Sequence, residues 1–139
     1  MSDQLIDAAK QPIIGYNDKD WDKVAASVTP DYVYDEVATH RTAEGIASVL
    51  DIWKGWGTAF PDSKATFHSA CASGNTVITE VTWNGTHTGP LMTLKGEVPA
   101  TGKSFSMRAI MVNELEDGKV ASTRQYFDMD TMMSQLGGS

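Results

Sequence analysis

The stretch that decides the fold is residues 103–128, KSFSMRAIMVNELEDGKVASTRQYFD. Apolar and polar side chains alternate on both sides of Asp117-Gly118. Alternation of this kind indicates half-buried β-strands, and an Asp-Gly pair between two such runs is a strong signal for a hairpin. The sequence therefore predicts two antiparallel strands, over 103–115 and 119–127.

The end of this hairpin determines which side chains could reach an interior site. Successive residues of a strand point to opposite faces of the sheet. One face then carries Thr123, Gln125 and Phe127, and the other carries Arg124, Tyr126 and Asp128. We therefore expect Gln125 and Asp128 on opposite faces of the sheet.

Asp128 could be either a catalytic acid or a helix cap. It directly precedes a predicted helix over 129–136, where its carboxylate can accept amide hydrogens of the first turn. Asp130 then falls in that turn, near the positive end of the helix dipole. Capping is the favoured interpretation.

Outward from the hairpin, the sequence predicts helices first and strands afterwards. Helices are expected over 3–17, within 18–28, and from an N-cap at Thr42 to about Phe60, with Pro12 kinking or delaying the first. Further strands are expected over 31–37, 64–72 and 75–86, and the long connection 95–103 could form a pocket rim. This order predicts a single α+β domain over 1–136, with helices on one face of the sheet and a tail at 137–139.

Composition excludes several classes of partner. The net charge is −7, and only 11 residues are Lys or Arg, so we expect neither nucleic-acid binding nor attachment to an anionic membrane. No apolar run approaches the length of a membrane span, and the N-terminus lacks the features of a signal peptide. The single cysteine, Cys71, leaves no internal disulfide, which favours the cytoplasm.

The sequence predicts no metal site, phosphate loop or nucleophilic cysteine. His40, His68 and His87 show no paired spacing typical of ligands. Residues 96–104, GEVPATGKS, have five residues between the glycines where a phosphate-binding loop has four, and they precede a strand instead of a helix. Cys71 lies in a predicted strand, where a buried thiol is inert.

Aromatic residues are the more informative group. Trp53 and Trp56 share one face of a predicted helix, and Tyr32 and Tyr34 share one face of a strand. They could simply build the core. They could also line a cavity between helix and sheet that suits a flat, lipophilic ligand.

Several segments in order resemble one family. They are IGYNDKDWDKVAASVTPDYV (14–33), WGTAFPD (56–62), WNGTHTGP (83–90), VPATGK (98–103), EDGKV (116–120) and RQYFDMDTMMSQLG (124–137). Together they resemble the SnoaL-like polyketide cyclases of the nuclear-transport-factor-2-like superfamily. The resemblance implies a cone: a strongly curved mixed or antiparallel sheet wrapped around N-terminal helices, a cystatin-like barrel with an internal pocket.

The resemblance also implies where the chemistry lies. These cyclases close a ring by intramolecular aldol condensation without metal or organic cofactor. An Asp that follows an Arg on the last strand is the acid/base, and a His on the preceding strand assists. Here Arg124 is followed by Gln125, and Met111 stands at the histidine position. Neither Gln nor Met exchanges a proton in the useful range.

Related enzymes of the superfamily suggest two further comparisons. The limonene epoxide hydrolases also need an Asp at the position of Gln125. Ketosteroid isomerase has its base at the position of Tyr34, with Asp35 next to it here. Asp35 could serve as a base if a bulge turned it inward, although alternation places it outside.

The candidate site therefore combines two groups of residues. Tyr16, Ile52, Trp53 and Met111 are the candidate substrate-binding residues, and the candidate catalytic residues are Tyr34, Asp35, His87 and Gln125. Tyr34 and Gln125 could polarise a carbonyl by hydrogen bonding. His87 could titrate near neutral pH, or it could instead hold the long connection at the sheet edge.

Three hypotheses follow. The protein could be a cofactor-free cyclase, isomerase or lyase that acts by proton transfer on a hydrophobic, carbonyl-bearing small molecule. It could instead bind such a polyketide-like ligand without turning it over, having lost the acid/base pair. A homodimer is expected, since one short helix cannot cover a broad sheet, and dimerisation could itself be a structural role.

Overall fold

A computed structural model describes residues 2–93 and 96–137 of the chain. The helices within these residues are α1 (Ser2–Asn17), α2 (Trp21–Ala26), α3 (Ile46–Ala59) and α4 (Met129–Gln135), with a short 3-10 turn at Val37–Thr39. The strands are β1 (Val28–Glu36), β2 (Arg41–Glu44), β3 (Lys64–Ser73), β4 (Thr76–Thr86), β5 (Leu91–Thr93), β6 (Gly96–Val98), β7 (Ser104–Glu116) and β8 (Lys119–Phe127).

Six strands form one mixed, curved sheet in the order β2-β1-β8-β7-β4-β3. β1 runs parallel to β8, and every other neighbouring pair in the sheet is antiparallel. β5 and β6 make a separate two-stranded ribbon. The α+β class with N-terminal helices on a mixed sheet is confirmed. The sheet is open, with β2 and β3 as its edges, so the expected barrel is not closed.

The β7–β8 hairpin is confirmed. Asp117 and Gly118 both have positive φ, 51° and 80°, as the two central residues of a type I′ turn require. The register places Met111 directly opposite Gln125. Two positions on the two strands of the hairpin thereby share one patch of the inward face.

The predicted helix start at Thr42 is wrong. Thr42 lies in the edge strand β2, paired with Asp35 of β1. α3 begins only at Ile46, after Gly45, which turns the chain with φ 84°. Thr42 satisfied the local pattern of an N-cap, but a β-branched residue also suits a strand, and pairing with β1 decides the outcome.

The first helix and the first strand also differ from their predicted limits. α1 runs without a break from Ser2 through Pro12 to Asn17, so the delayed start is wrong. β1 begins at Val28, earlier than the predicted 31–37. The sequence predicted the element types correctly, and the limits moved because pairing extends β1 beyond its aromatic centre.

The core forms two clusters on the inward side of the sheet. The larger lies under α1 and α3 and includes the fully buried Val24, Val49, Val77, Val81 and Val120. The smaller lies under α4 and comprises Ala59, Phe60, Leu91, Phe105, Met107, Met132 and Leu136. The candidate site lies where these clusters meet.

Two segments singled out in the sequence have simple structural roles. Residues 96–104 comprise β6 and a loop that leads directly into strand β7, so they do not open a helix as a phosphate loop would. Cys71 is exposed on the edge strand β3, which corrects the expectation of a buried thiol. No helix within the described residues is long and apolar enough to cross a membrane.

Candidate binding site

An internal cavity of about 60 Å³ lies between the helices and the inward face of the sheet. The lining comprises Ile13, Tyr16, Tyr34, Glu36, Trp53, Trp56, Phe60, Ser63, Trp83, Phe105, Met107, Met111, Thr123, Gln125, Phe127 and Met132. Eight of these are aromatic and three are methionine, so the wall is apolar with a few polar groups. That composition is typical of small-molecule pockets.

The cavity is smaller than a pocket for a drug-sized ligand, which usually measures about 300–1,000 Å³. Three of the lining residues are methionines: Met107, Met111 and Met132. Thioether side chains are unbranched and repack readily. The methionine side is therefore the most adaptable part of the lining.

Five of the eight residues predicted for the site line this cavity. They are Tyr16, Tyr34, Trp53, Met111 and Gln125. Ile52, Asp35 and His87 are not part of the lining. The 96–103 part of the expected rim contributes no lining residue either, and Lys95 falls outside the described residues.

Gln125 is held between two aromatic residues on the inward face. It is 7% exposed, whereas Arg124 next to it lies on the outer face, 3.6 Å from Glu114. The indole Nε1–H of Trp83 donates to Gln125 Oε1 at 2.8 Å. Gln125 Nε2 donates to the hydroxyl of Tyr34 at 2.6 Å. The predicted alternation along β8 is therefore correct.

Glu36 is the site residue that the sequence analysis missed. It is fully buried at the end of β1 and lines the cavity. Its Oε2 accepts hydrogen bonds from Tyr34 Oη at 2.7 Å and Trp56 Nε1 at 2.8 Å. Both donors to Oε2 are aromatic residues that line the cavity.

The second oxygen of Glu36 faces a cation. Its Oε1 accepts from Thr39 Oγ1 at 2.6 Å and from Arg41 Nη2 at 2.7 Å. The Arg41 side chain is one-third exposed, whereas that of Glu36 is 1% exposed. A buried carboxylate needs such compensation, because an unpaired charge in an apolar interior is very costly.

A signal for Glu36 was present in the sequence. Tyr32, Tyr34 and Glu36 alternate along one strand, so all three must share a face. The two tyrosines were correctly placed, and the same periodicity extended by two residues reaches Glu36. Arg41 is close in sequence but lies on the next strand, and Trp56 comes from α3, so the sequence alone does not show that both reach the Glu36 carboxylate.

The cavity wall contains a second hydrogen-bonded polar pair. Tyr16 Oη and Ser63 Oγ are 2.6 Å apart and hydrogen-bonded, with either atom as the donor. Burial raises the pKa of Tyr16 to about 12, against the opposing effect of the Ser63 hydrogen bond. Lys19 Nζ donates to the backbone oxygen of Ser63 at 2.6 Å. Burial lowers the pKa of Lys19.

A count of protons shows which donors remain for a ligand. One bond between two hydroxyls leaves one O–H of the Tyr16–Ser63 pair unused among the described contacts. Gln125 likewise donates only one of its two amide protons to a described partner. The single hydroxyl proton of Tyr34 is committed to Glu36. Tyr34 can therefore donate to a carbonyl only by releasing Glu36.

Asp35 points away from the cavity, as alternation along β1 requires. It accepts a hydrogen bond of 3.4 Å from Thr42 Oγ1 of the neighbouring strand. No bulge turns it inward, since Asp35 keeps its register with both Thr42 and Arg124. The condition under which Asp35 was expected to act as a base is not met.

His87 is buried at the start of the long connection. Its Nδ1 lies 3.1 Å from Thr101 Oγ1 and accepts from the Thr101 amide at 3.3 Å. Its backbone bonds to Gly102 and Lys103, and its ring lies 5.1 Å from that of Phe60. Burial lowers the pKa of His87. These contacts match the alternative role, in which His87 holds the connection.

Asp128 caps α4. Its Oδ1 accepts from the Asp130 amide at 3.0 Å, and its Oδ2 accepts from Thr131 Oγ1 at 2.8 Å. The residue is exposed and does not line the cavity. Across the described residues, no group of three or more His, Cys, Asp or Glu side chains is arranged to hold a metal ion.

The chain belongs to the SnoaL-like polyketide cyclase family, whose family model matches residues 7–136. A search of curated protein sequences found no match. Solved structures that match nearly the whole chain have the same fold, the nuclear-transport-factor-2-like fold.

Three of these structures illustrate the range. IdmH, a candidate polyketide cyclase from Streptomyces antibioticus, is 25% identical with a TM-score of 0.82, covering 96% of this chain and 99% of its own. A candidate SnoaL-like cyclase from Jannaschia is 19% identical with a TM-score of 0.86. The match covers 99% of this chain and 94% of the Jannaschia chain. TerC, co-crystallised with polyporic acid, is 15% identical with a TM-score of 0.76. The match covers 97% of this chain and 99% of TerC.

Proposed function

We propose that the cavity binds a hydrophobic, carbonyl-bearing small molecule of polyketide-like character. The observation that supports this most directly is the pairing of an aromatic and methionine wall with two unused proton donors, one on Gln125 and one on the Tyr16–Ser63 pair. A carbonyl oxygen between such donors satisfies them, whereas a plain hydrocarbon leaves them unpaired. The co-crystal of TerC, a similar structure, with polyporic acid supports a small-molecule ligand.

Tryptophan fluorescence provides the test, because Trp53, Trp56 and Trp83 all line the cavity. Titration with 1-tetralone should quench the emission, and tetralin, which lacks the carbonyl, should bind about five- to ten-fold more weakly for one lost hydrogen bond. Replacing Gln125 with Leu should reduce this difference. Equal affinities for the two compounds, or no quenching by either, would contradict the proposal.

Proton-transfer chemistry without a cofactor, as a cyclase, isomerase or lyase, is the activity that we propose for this site. Family membership supports it, and so does the buried, ion-paired carboxylate of Glu36 in the cavity wall. Asp35 and His87 remain candidates for the base only if ligand binding changes their surroundings. The 60 Å³ cavity also has to widen before a polyketide can enter.

Binding without turnover is the second candidate function. It is favoured by Gln125 and Met111, which stand where the resemblance places the acid/base pair. The two residues are directly opposite in the β7–β8 register, so Gln125→Asp with Met111→His would place a carboxylate beside an imidazole. We predict that this double variant gains the ability to close a linear aromatic β-keto ester by aldol condensation. Mass spectrometry would detect the cyclised product. Activity in the wild type and none in the variant would contradict loss of the pair.

We also propose a homodimer and a cytoplasmic location. The outer face of the sheet exposes Ile78, Ile110 and Tyr126, by 39%, 44% and 44%. Ile110 and Tyr126 are paired across β7 and β8, so they form one apolar patch. The free thiol of Cys71 is compatible with a reducing compartment, and cell fractionation would test the location.

A further inference from the structure

We propose that Tyr34 and Glu36 form a proton relay: Tyr34 takes a proton from the carbon beside a ligand carbonyl while its own proton passes to Glu36. The relay rests on the proposed function, since it needs a carbonyl ligand in the cavity. It gives the site a proton acceptor although Gln125 and Met111 occupy the positions of the expected acid/base pair.

The direction of each hydrogen bond in the relay follows from the donors available. The indole nitrogen of Trp83 can only donate, so the atom of Gln125 that it meets at 2.8 Å is the amide oxygen. The amide nitrogen of Gln125 must then face Tyr34 and donate to its hydroxyl oxygen at 2.6 Å. Tyr34 is left to donate its own proton to Glu36 Oε2 at 2.7 Å.

The carboxylate is positioned to receive that proton. Among the described lining residues, Glu36 is the only one with a carboxyl side chain, and none is Lys, Arg or His. Glu36 is therefore the one proton acceptor of ordinary basicity in that lining. Arg41 compensates its charge from the outer oxygen, Oε1, and leaves Oε2 on the cavity side. Tyr34 itself stays neutral, because burial and then the charge of Glu36 raise its pKa well above the usual value.

The step balances without any co-reactant. The C–H bond beside the carbonyl breaks, and its proton goes to the Tyr34 oxygen as the Tyr34 O–H bond breaks and a new O–H bond forms on Glu36. The electron pair of the C–H bond moves into the enolate, so one negative charge passes from Glu36 to the ligand oxygen. The unused donors of Gln125 and the Tyr16–Ser63 pair are available to stabilise that charge. Return of the proton to the ligand restores both residues.

The test uses 3-cyclohexen-1-one, a small ketone whose conversion to the conjugated isomer needs removal of such a proton. Proton NMR in D₂O follows both isomerisation and deuterium uptake. We expect wild-type protein to accelerate loss of the ligand signal over buffer. Glu36→Gln and Tyr34→Phe should each lower this protein-dependent rate by about 100-fold or more, as loss of a general base does.

Matched controls separate the relay from general damage. Glu44→Gln makes the same change on the exposed side of β2, and Tyr32→Phe removes a buried hydroxyl of β1 that does not line the cavity. Both should keep the wild-type rate. If Glu36→Gln does not fold because Arg41 is left unpaired, the double variant Glu36→Gln with Arg41→Gln removes that charge, and circular dichroism checks the fold.

The outcomes distinguish the relay from the proposed function. Fluorescence quenching by the ketone without any rate above buffer would overturn the relay and leave the binding proposal standing. A wild-type rate in either Glu36→Gln or Tyr34→Phe would also overturn it, and loss of the rate in Asp35→Asn alone would move the base to Asp35. Absence of quenching would contradict the proposed function, and the relay would fall with it.

Discussion

At the residue scale, Glu36 shows how one buried charge organises a site. Its carboxylate receives hydrogen bonds from Tyr34, Thr39, Arg41 and Trp56. Each of these comes from a different position in the chain, and together they fix two lining side chains, Tyr34 and Trp56. Local pattern could predict that Glu36 faces inward. Thr39 and Arg41 are its neighbours in sequence, but the contact with Trp56 depends on how α3 packs on the sheet.

The ion pair gives a first prediction about stability. Arg41→Ala leaves the Glu36 carboxylate buried without its cation. Breaking a fully buried pair costs about 3–5 kcal/mol, and since Arg41 is one-third exposed we expect a loss of about 2 kcal/mol in the free energy of unfolding. Urea denaturation measures it.

The control for this prediction is Arg108→Ala, which breaks the Arg108–Glu80 pair on the surface, where the side chains are 69% and 38% exposed. Exposed pairs contribute about 0–1 kcal/mol. Equal losses for the two variants would show that burial of Glu36 does not matter to the energy of its pair.

His87 gives a second prediction, on the pH dependence of stability. Because burial lowers its pKa in the folded state, the unfolded chain binds the proton more readily, and stability rises with pH through that window. The stability that depends on neutral His87 is fully present above the unfolded pKa of about 6.5. It is lost as the pH falls towards the pKa of His87 in the folded state. We expect the urea midpoint of His87→Gln to change less between pH 7 and pH 5 than that of the wild type, with His40→Gln on the surface as the control. Parallel curves would contradict this.

At the scale of elements, prediction succeeded where the signal is local. The β7–β8 hairpin depends on alternation and on the Asp117-Gly118 turn, all within one continuous stretch. Strand β2 was missed because four residues, Arg41–Glu44, carry little periodicity and Thr42 satisfies the cap pattern equally well. Its pairing with β1 supplies the missing information, and that pairing is a property of the tertiary structure.

Helix α4 gives a third prediction. Asp128→Ala removes both capping bonds, to the Asp130 amide and the Thr131 hydroxyl, and should cost about 1 kcal/mol of unfolding free energy. Asp130→Ala, two residues further on, loses only a favourable dipole interaction of about 0.3–1 kcal/mol. Thermal or urea unfolding compares them. Loss of ligand turnover in Asp128→Ala with unchanged stability would instead indicate a catalytic carboxylate.

At the scale of the whole molecule, the cavity separates two clusters that are held by different elements. α1 and α3 cover one cluster, and α4 covers the other. α4 is attached to β7 by Gln135, whose side chain bonds to both the amide and the oxygen of Ser106, at 2.6 and 2.9 Å. The sequence predicted the aromatic character of the cavity, but its size and its polar contacts depend on how these layers meet.

The outer face of the sheet gives the fourth prediction. We expect light scattering to show a dimer for the wild type and a monomer for Ile110→Glu, because a charge in the Ile78–Ile110–Tyr126 patch cannot be buried against its copy. Met92→Glu, which changes an even more exposed apolar side chain on β5, should remain dimeric. A wild-type monomer at micromolar concentration would contradict the proposed homodimer.

The parallel pairing of β1 with β8 has a consequence for how the protein matures. Among the strands of the six-stranded sheet, β1 comes first in sequence and its partner β8 comes last, and the amide of Gln125 reaches Tyr34 across 91 residues of sequence. Contacts of such separation are slow to form. During synthesis, then, we expect the aromatic interior to close only after β8 has emerged from the ribosome, so the cavity is completed late in the translation of this domain.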